Sequence, residues 1–340
     1  MMRFVGNRLL ASLTAGTLIA TLGLPGVATA ESTHQSVSTC ALQTLPYPTD
    51  MHGRATAVDP TGKFIAGIGY GVDDDGWRPR LLLWAGARPG AWNQPRLTIV
   101  ETAVVEEVEG INRNGVAVGN AVVDHIYRPW RYRDGRLEWL PVLPGASNVF
   151  TSGINSRGDI VGRASVEETE TSLPLLWPVD RPGTVEVIDA PYDAGATEIL
   201  DDGTIIGGAG GFGWVRHPDG TTDRLTVPGA RWAGIVAARG TWAVGSIGTG
   251  PGEEDRAPVR WDLRTGVATA VPPALVSTLD VNSQGAVLGD RAVAHGDRIV
   301  PLGGVIPGVQ DPFGWGIADN GLVVGSVNGS RLRPARWTNC

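Results

Sequence analysis

The 340-residue sequence predicts an all-β fold built from seven repeated units, and three observations lead to this prediction. First, a short phrase occurs seven times: an apolar residue, Asn or Asp, one or two polar residues, Gly, several apolar residues and a final Gly. Second, the closing glycines of these phrases follow one another at an average of 43 residues. Third, no long segment has helical spacing of apolar residues, and the 48 Gly and 24 Pro disfavour helices.

Each unit predicts four strands in a fixed order. The first enters an Asn-Gly or Asp-Gly turn, as in 107–111, and the second follows that turn, as in 114–118. The third usually ends in an aromatic residue, and the fourth ends near Pro, as in 137–141. Asn-Gly and Asp-Gly pairs accept the positive φ that tight hairpins require. Four strands in about 43 residues is the period of a β-propeller blade, so the sequence predicts a seven-bladed β-propeller.

The two ends of the chain complement each other. The seventh unit stops after its third strand, at Trp337, and residues 40–46 match the missing fourth strand in pattern. We therefore expect the N-terminal strand to close the last blade, which places Cys40 and Cys340 on neighbouring strands. Two cysteines are too few for a tetrahedral zinc site, and in an oxidising compartment they are expected to form a disulfide.

Residues 1–30 have the pattern of a secretory signal peptide. Arg3 and Arg8 precede a largely apolar stretch, and Ala28-Thr29-Ala30 fits the small-x-small cleavage rule. The alternative is an N-terminal membrane anchor, but the apolar stretch is short and interrupted by polar residues. We predict cleavage, a single propeller domain over 31–340, and a secreted, extracellular, monomeric product that is not bound to membranes.

The charge balance argues against nucleic acid as a partner. Without residues 1–30, which contain two arginines and no acidic residue, the formal charge falls from −7 to −9. Lys63 is the only lysine, and the arginines form no basic stripe that could follow a phosphate backbone. Sparse lysine beside abundant Ala, Gly, Val and Arg is typical of a GC-rich, bacterial genome.

The repeated phrase resembles the core of the extracellular HAF-repeat family, Ile-Asn-x-x-Gly-x-Val-x-Gly. The matching segments are 111–119, 154–162 and 281–289, and weaker copies extend over the predicted mature chain. The His-Ala-Phe triplet that names the family is absent, and Pro/Arg-x-x-Trp or Pro-x-x-Tyr phrases stand in its place. The resemblance implies secretion and a propeller-like array, and it brings no catalytic motif.

The common sequence motifs of enzymes and metal sites are mostly absent. Residues 208–213 match G-x-G-x-x-G, but a strand and a turn follow instead of a helix, so a glycine-rich hairpin is predicted there. G-x-S-x-G and H-E-x-x-H do not occur, and the five histidines are scattered. We expect no cofactor and no metal centre. Ca²⁺ at Asp73-Asp74-Asp75 is the alternative, although this run lacks the alternating spacing of a calcium loop.

Candidate ligand-binding residues lie where the chain enters each blade and in the loops between second and third strands, because binding usually occurs at that face. They are His52, Arg54, Glu106, Glu107, His125, Trp232, Asp311 and Trp315. The favoured function is a binding module whose acidic channel mouth engages a protein, a glycan or a small cationic ligand, with no catalysis indicated. The alternative is a lyase or hydrolase with His52 or His125 as general base. A structural wall or coat component is a third option.

Overall fold

Strands dominate the part of the chain that the computed structural model describes, which comprises residues 39–73, 76–86, 95–100, 105–250, 255–303, 310–329 and 331–340. These residues contain no α-helix, and Glu167–Thr169 forms a 3-10 turn. Within them, no helix has the length and apolar character needed to cross a membrane. The all-β prediction is confirmed. The predicted signal peptide, 1–30, lies outside the described residues.

The strands follow one another in groups of four, all within the compact unit Val37–Cys340. The first five strands are β1 (Ala41–Thr44), β2 (His52–Val58), β3 (Phe64–Asp73), β4 (Gly76–Ala85) and β5 (Arg96–Val100). The next eight are β6 (Glu107–Ile111), β7 (Ala117–Val123), β8 (Ile126–Arg133), β9 (Arg136–Trp139), β10 (Asn148–Ile154), β11 (Ile160–Val166), β12 (Thr171–Trp177) and β13 (Glu186–Val187).

The second half of the chain continues the same order. Its first eight strands are β14 (Ala194–Ile199), β15 (Ile205–Ala209), β16 (Phe212–Arg216), β17 (Thr222–Leu225), β18 (Trp232–Arg239), β19 (Trp242–Gly248), β20 (Arg256–Asp262) and β21 (Val267–Ala270). The last seven are β22 (Asp280–Val281), β23 (Val287–Leu288), β24 (Ala292–His295), β25 (Arg298–Pro301), β26 (Gln310–Ile317), β27 (Val323–Asn328) and β28 (Arg333–Thr338).

Antiparallel pairing joins the four strands of each group. Among the described residues, four-stranded sheets form from β2–β5, β6–β9, β10–β13 and β22–β25. β14–β17 and β18–β21 are united into one eight-stranded sheet by a single parallel pair, Phe212 with Ala233. The last sheet has the order β1-β28-β27-β26 and so contains the N-terminal strand.

The two chain ends meet in that last sheet. Ala41 of β1 pairs with Thr338 of β28, and the register continues to Thr44 and Ala335. Cys40 and Cys340, which are 300 residues apart in sequence, form a disulfide with their Cα atoms 4.7 Å apart. The predicted disulfide is confirmed. For a closed loop of this length, chain-entropy estimates give a stabilisation of the fold by about 4–5 kcal/mol.

Apolar side chains fill the spaces between consecutive groups of strands. One cluster combines Ile68 and Leu81 with Trp130 of the next group, and another combines Trp84 with Val324 of the last group. The first strands of the groups contact one another in chain order, and β26 also contacts β2. The core of the described residues is therefore divided among the interfaces between sheets.

The repeated Asn closes a turn and also joins two sheets. The Asn155 Oδ1 accepts hydrogen bonds from the backbone N–H groups of Arg157, Gly158 and Asp159, each at 3.0 Å. Its Nδ2 donates to the carbonyl of Leu200 in the following sheet at 3.3 Å. Asn155 is only 3% exposed, so these bonds satisfy a buried amide.

The repeated Trp joins neighbouring groups in a second way. The Nε1 atoms of Trp84, Trp177 and Trp337 donate to the carbonyls of Pro46, Pro141 and Gly303, at 2.6, 2.8 and 2.9 Å respectively. Each acceptor lies just after the outermost strand of the preceding group. These tryptophans are at most 3% exposed, so they belong to the core between neighbouring groups.

Candidate functional site

In six of the seven groups of described strands, the first strand contains a β-bulge that changes the direction of its side chains. The bulged residues are Thr56, Glu109, Ser152, Thr197, Val236 and Trp315. An extra residue in one strand breaks the alternation of side chains, so the bulged residue and its successor can face the same side. Both members of each pair line one central cavity.

This central cavity has a volume of about 1280 Å³ and is lined by all seven first strands. Small-molecule sites usually enclose about 300–1000 Å³, so there is room for a ligand of considerable size. The acidic lining residues are Glu107, Glu109, Asp193, Glu198, Asp201, Asp202, Asp280 and Asp319, and the basic ones are Arg54, Arg163 and Arg239. Because acids outnumber arginines, the cavity favours a positively charged occupant.

Glu107 and Glu109 form a carboxyl pair on β6. The Asn120 Nδ2 lies 3.2 Å from the Glu107 Oε2 and 3.4 Å from the Glu109 Oε1. Loss of bulk water raises the pKa of Glu109 to about 8, and the neighbouring Glu107 carboxyl acts in the same direction, while Arg163 opposes it. The Glu109 side chain is exposed, and its exposed surface faces the cavity.

Glu198 occupies space that a glycine leaves free. A Cβ atom at Gly153 would lie 2.6 Å from the Glu198 Oε2, so any larger residue there would collide with the carboxyl. Burial raises the pKa of Glu198 to about 8, and the charges of Asp280 and Glu109 add to this, while Arg239 opposes it. At neutral pH the side chain is therefore mainly protonated.

Asp280 and Arg239 form hydrogen bonds within the wall of the cavity. The Asp280 oxygens accept hydrogen bonds from the backbone N–H groups of Val281 at 2.8 Å and Ile317 at 2.9 Å. The Arg239 Nη1 donates to the Ile317 carbonyl at 2.8 Å, and its Nη2 lies 3.9 Å from the Asp280 Oδ2. Burial raises the pKa of Asp280, and Arg239 counteracts that rise. These bonds leave Asp280 less available to a ligand than Glu109 or Glu198.

Arg54 and Trp315 form the wall nearest the last sheet. The Arg54 Cζ lies 5.1 Å from the centre of the Trp315 ring, a cation–π contact. The Arg54 Nε and the Trp315 Nε1 are enclosed and have no hydrogen-bond partner among the described residues. Buried donors are normally paired, so these two are exceptions among the described residues.

Three of the eight residues predicted from the sequence line this cavity: Arg54, Glu107 and Trp315. The His52 Nδ1 instead accepts a hydrogen bond from the Leu332 backbone at 3.4 Å, and Asp311 pairs with Arg291 at 3.0 Å.

The other three also lie outside the cavity lining. Trp232 lies under Arg256, whose Cζ is 5.3 Å from the ring centre. His125 is exposed in the turn between β7 and β8 with a φ of 64°. The backbone of Glu106 bonds to Asn120 at 3.0 Å, and its side chain does not contribute to the lining.

Sequence reasoning missed Glu109, Glu198 and Asp280 as site residues, although a signal for the last two was present. In five groups a small residue of the first strand pairs with the residue before the closing Gly, namely Ala57, Gly110, Gly153, Ala237 and Gly316. Glu198 and Asp280 occupy this position in the other two groups. An acidic residue at a position otherwise reserved for Ala or Gly is a departure that packing does not explain.

The described residues contain no group of three or more His, Cys, Asp or Glu side chains arranged to hold a metal ion. Of the proposed calcium run, Asp74 and Asp75 lie outside the described residues, so calcium there stays a prediction. Residues 208–213 form the β15–β16 hairpin with a turn at Gly210 and Gly211, as predicted from the missing helix signal.

Comparisons with known proteins identify the fold and no more. No family model and no curated protein matches the chain. The β-propeller domain of the Trilobed protease from Pyrococcus furiosus aligns with 86% of this chain and 97% of its own length, at 10% identity and a TM-score of 0.60. The acylaminoacyl peptidase of Pyrococcus horikoshii aligns with 84% of this chain at 7% identity and a TM-score of 0.51. This chain spans about half of that peptidase, 52%. The described fold is therefore propeller-like.

Proposed function

We propose that the chain is a secreted, closed seven-bladed β-propeller that binds a cationic ligand in its central cavity without catalysing a reaction on it. Seven apolar clusters among the described residues, each between consecutive groups of strands, support seven blades. The contact of β26 with β2 and the pairing of β1 with β28 support closure of the ring by the N-terminal strand, held by the disulfide. We extend the proposal to membership of the HAF-repeat family.

Secretion is supported by two independent features. A disulfide between distant residues is typical of proteins that fold in an oxidising compartment. Residues 1–30 have the charge, apolar stretch and cleavage pattern of a signal peptide.

The observation that carries the binding role is the state of the cavity carboxyls. Glu109 and Glu198 both have a pKa of about 8, because they are withdrawn from bulk water beside other acids. A cationic group placed between them supplies the missing counter-charge, ionises them and releases protons. Enclosed acids beside other acids cost stability when they ionise, and such a cost is typically retained at sites that serve function.

One observation favours an enzyme as the second candidate. A carboxyl that stays protonated near neutral pH can act as a general acid, and the cavity holds two of them. Neither His52 nor His125, the candidate general bases, belongs to the cavity lining. The binding role is therefore preferred, and turnover of a bound ligand would favour the enzyme.

Titration calorimetry of the mature protein with agmatine, putrescine and Nα-acetyl-lysine amide tests the binding role. We expect at least one probe to bind at pH 7.5, and buffers of different ionisation enthalpy should report released protons. Glu109→Gln and Glu198→Gln should each weaken binding at least tenfold. Glu138→Gln is the matched control, since Glu138 pairs with Arg131 in another sheet position outside the cavity lining. If none of the three probes binds, the proposed function is wrong.

A further inference from the structure

A side groove lies beside the central cavity and shares part of its wall. It has a volume of about 340 Å³ and is lined by Pro191, Tyr192, Ala209, Gly210, Phe212, Gly213, Trp214, Thr222, Asp223 and Arg224. Ala209, Gly210 and Phe212 also line the central cavity. Only the end of the β15–β16 hairpin therefore separates the two spaces.

The hairpin end is a low barrier because it carries no side chains. Its two turn residues are Gly210 and Gly211, with φ values of 53° and 82°. A Cβ atom at Gly210 would find no atom within 4 Å, so this side of the turn is open space. A ligand chain can pass over the turn and occupy both spaces at once.

The groove differs in chemistry from the acidic cavity. Tyr192 is 82% exposed and offers a flat surface to an apolar or aromatic group. Arg224 lies over Phe212 with its Cζ 3.6 Å from the ring centre. Trp214 is 1% exposed, and its Nε1 has no partner among the described residues. The exposed arginine is a donor suited to carbonyl oxygens, and the buried indole forms part of the floor of the groove.

We propose that the ligand is an extended polypeptide that places a Lys or Arg side chain in the central cavity while its neighbouring residues lie in the side groove. This inference rests on the proposed function, since it requires the cavity to accept a cation. The acidic cavity complements the ammonium or guanidinium group, and the groove complements peptide carbonyls and an apolar neighbour of the basic residue. A free amine would use the cavity alone and make no contact with Tyr192 or Arg224 of the groove.

The test compares a peptide with the isolated side chain by titration calorimetry on the whole mature protein. The probes are acetyl-Gly-Phe-Lys-Phe-Gly-amide and Nα-acetyl-lysine amide, with spermidine as a polyamine that lacks peptide groups. We expect the peptide to bind at least tenfold more tightly than either small probe. Tyr192→Ala should weaken peptide binding about three- to tenfold and leave the affinity of Nα-acetyl-lysine amide unchanged.

A second variant raises the barrier between the two spaces. Gly210→Asn adds a side chain at a positive φ that Asn tolerates, so we expect it to weaken the binding of the peptide more than the binding of Nα-acetyl-lysine amide. Gly135→Asn, in the exposed turn between β8 and β9, is the matched control. A peptide that binds no more tightly than spermidine or Nα-acetyl-lysine amide overturns the inference and leaves the proposed function standing. So do variants that weaken both probes equally. Failure of every probe to bind overturns both.

Discussion

Replacing Glu198 by Gln tests whether the cavity holds this side chain uncharged. Burial raises the pKa of Glu198 from 4.5 to about 8, so between these values the folded protein binds more protons than the unfolded chain. The free energy of unfolding must then fall as the pH rises from 4.5 through 8. Gln carries no charge at any pH, so Glu198→Gln should remove this part of the pH dependence.

The size of the effect follows from the enclosure of the side chain. A difference of about 3.5 pH units corresponds to about 5 kcal/mol for a fully enclosed carboxyl. Glu198 is half-buried by accessible surface because it faces the cavity, and water entering that space screens its charge. We therefore expect Glu198→Gln to be more stable than the parent protein by about 1–2 kcal/mol at pH 9, and by close to nothing at pH 5.

Urea unfolding followed by tryptophan fluorescence at pH 5, 7 and 9 measures this difference, with the disulfide intact. Glu138→Gln is an opposite-sign control, since the hydrogen bond from Arg131 lowers the pKa of Glu138. Its charge stabilises the fold at every pH above the unfolded pKa of 4.5, so Glu138→Gln should be less stable than the parent protein by nearly the same amount at pH 5, 7 and 9. A stability difference between Glu198→Gln and the parent that stays constant from pH 5 to 9 would refute the reasoning about the cavity.

Three further predictions concern the scaffold. Asn155→Ala should cost about 2–3 kcal/mol in urea unfolding, because it leaves buried backbone donors without an acceptor. Gly153→Ala should cost about 1 kcal/mol, because the new Cβ lies 2.6 Å from the Glu198 Oε2, which has to move, and 3.1 Å from the Thr197 carbonyl oxygen. Adding Glu198→Ala should recover only the part of the loss that comes from the carboxyl. Replacing both Cys40 and Cys340 by Ser should lower the free energy of unfolding by about 4–5 kcal/mol. A double variant with the same free energy of unfolding as the parent protein would contradict the stabilising role of the disulfide.

The strands and the pairing of the chain ends were predictable because local chemistry determines them. Asn-Gly and Asp-Gly turns specify hairpins, and the side chain of Asn155 shows why the phrase repeats, since it closes its own turn and bonds to the next sheet. The pairing of β1 with β28 follows from a missing strand at one end and a spare one at the other. These signals lie in short segments of sequence.

The site was less predictable because it depends on bulges and on neighbouring repeats. Regular alternation in β14 would turn Glu198 away from the side that Thr197 faces, yet the bulge brings both to the cavity. The partner that makes room for Glu198 is Gly153, 45 residues earlier in the chain. His52 and His125 were predicted as site residues because histidine suits many kinds of chemistry. Residue type alone does not determine whether a side chain faces the cavity, and neither histidine belongs to its lining.

The placement of the enclosed acids explains how the fold tolerates them. The interfaces between sheets are filled by apolar clusters, by repeated tryptophans and by paired amides, so each contributes to stability on its own. Glu109 and Glu198 lie on the other side of the first strands, where they face the cavity and do not interrupt those interfaces. A change at either position alters the chemistry of the cavity and leaves the apolar contacts between blades in place. Repeats that depart from the pattern on the cavity side can therefore acquire a binding site at a limited cost in stability, and that is where we expect specificity to be encoded.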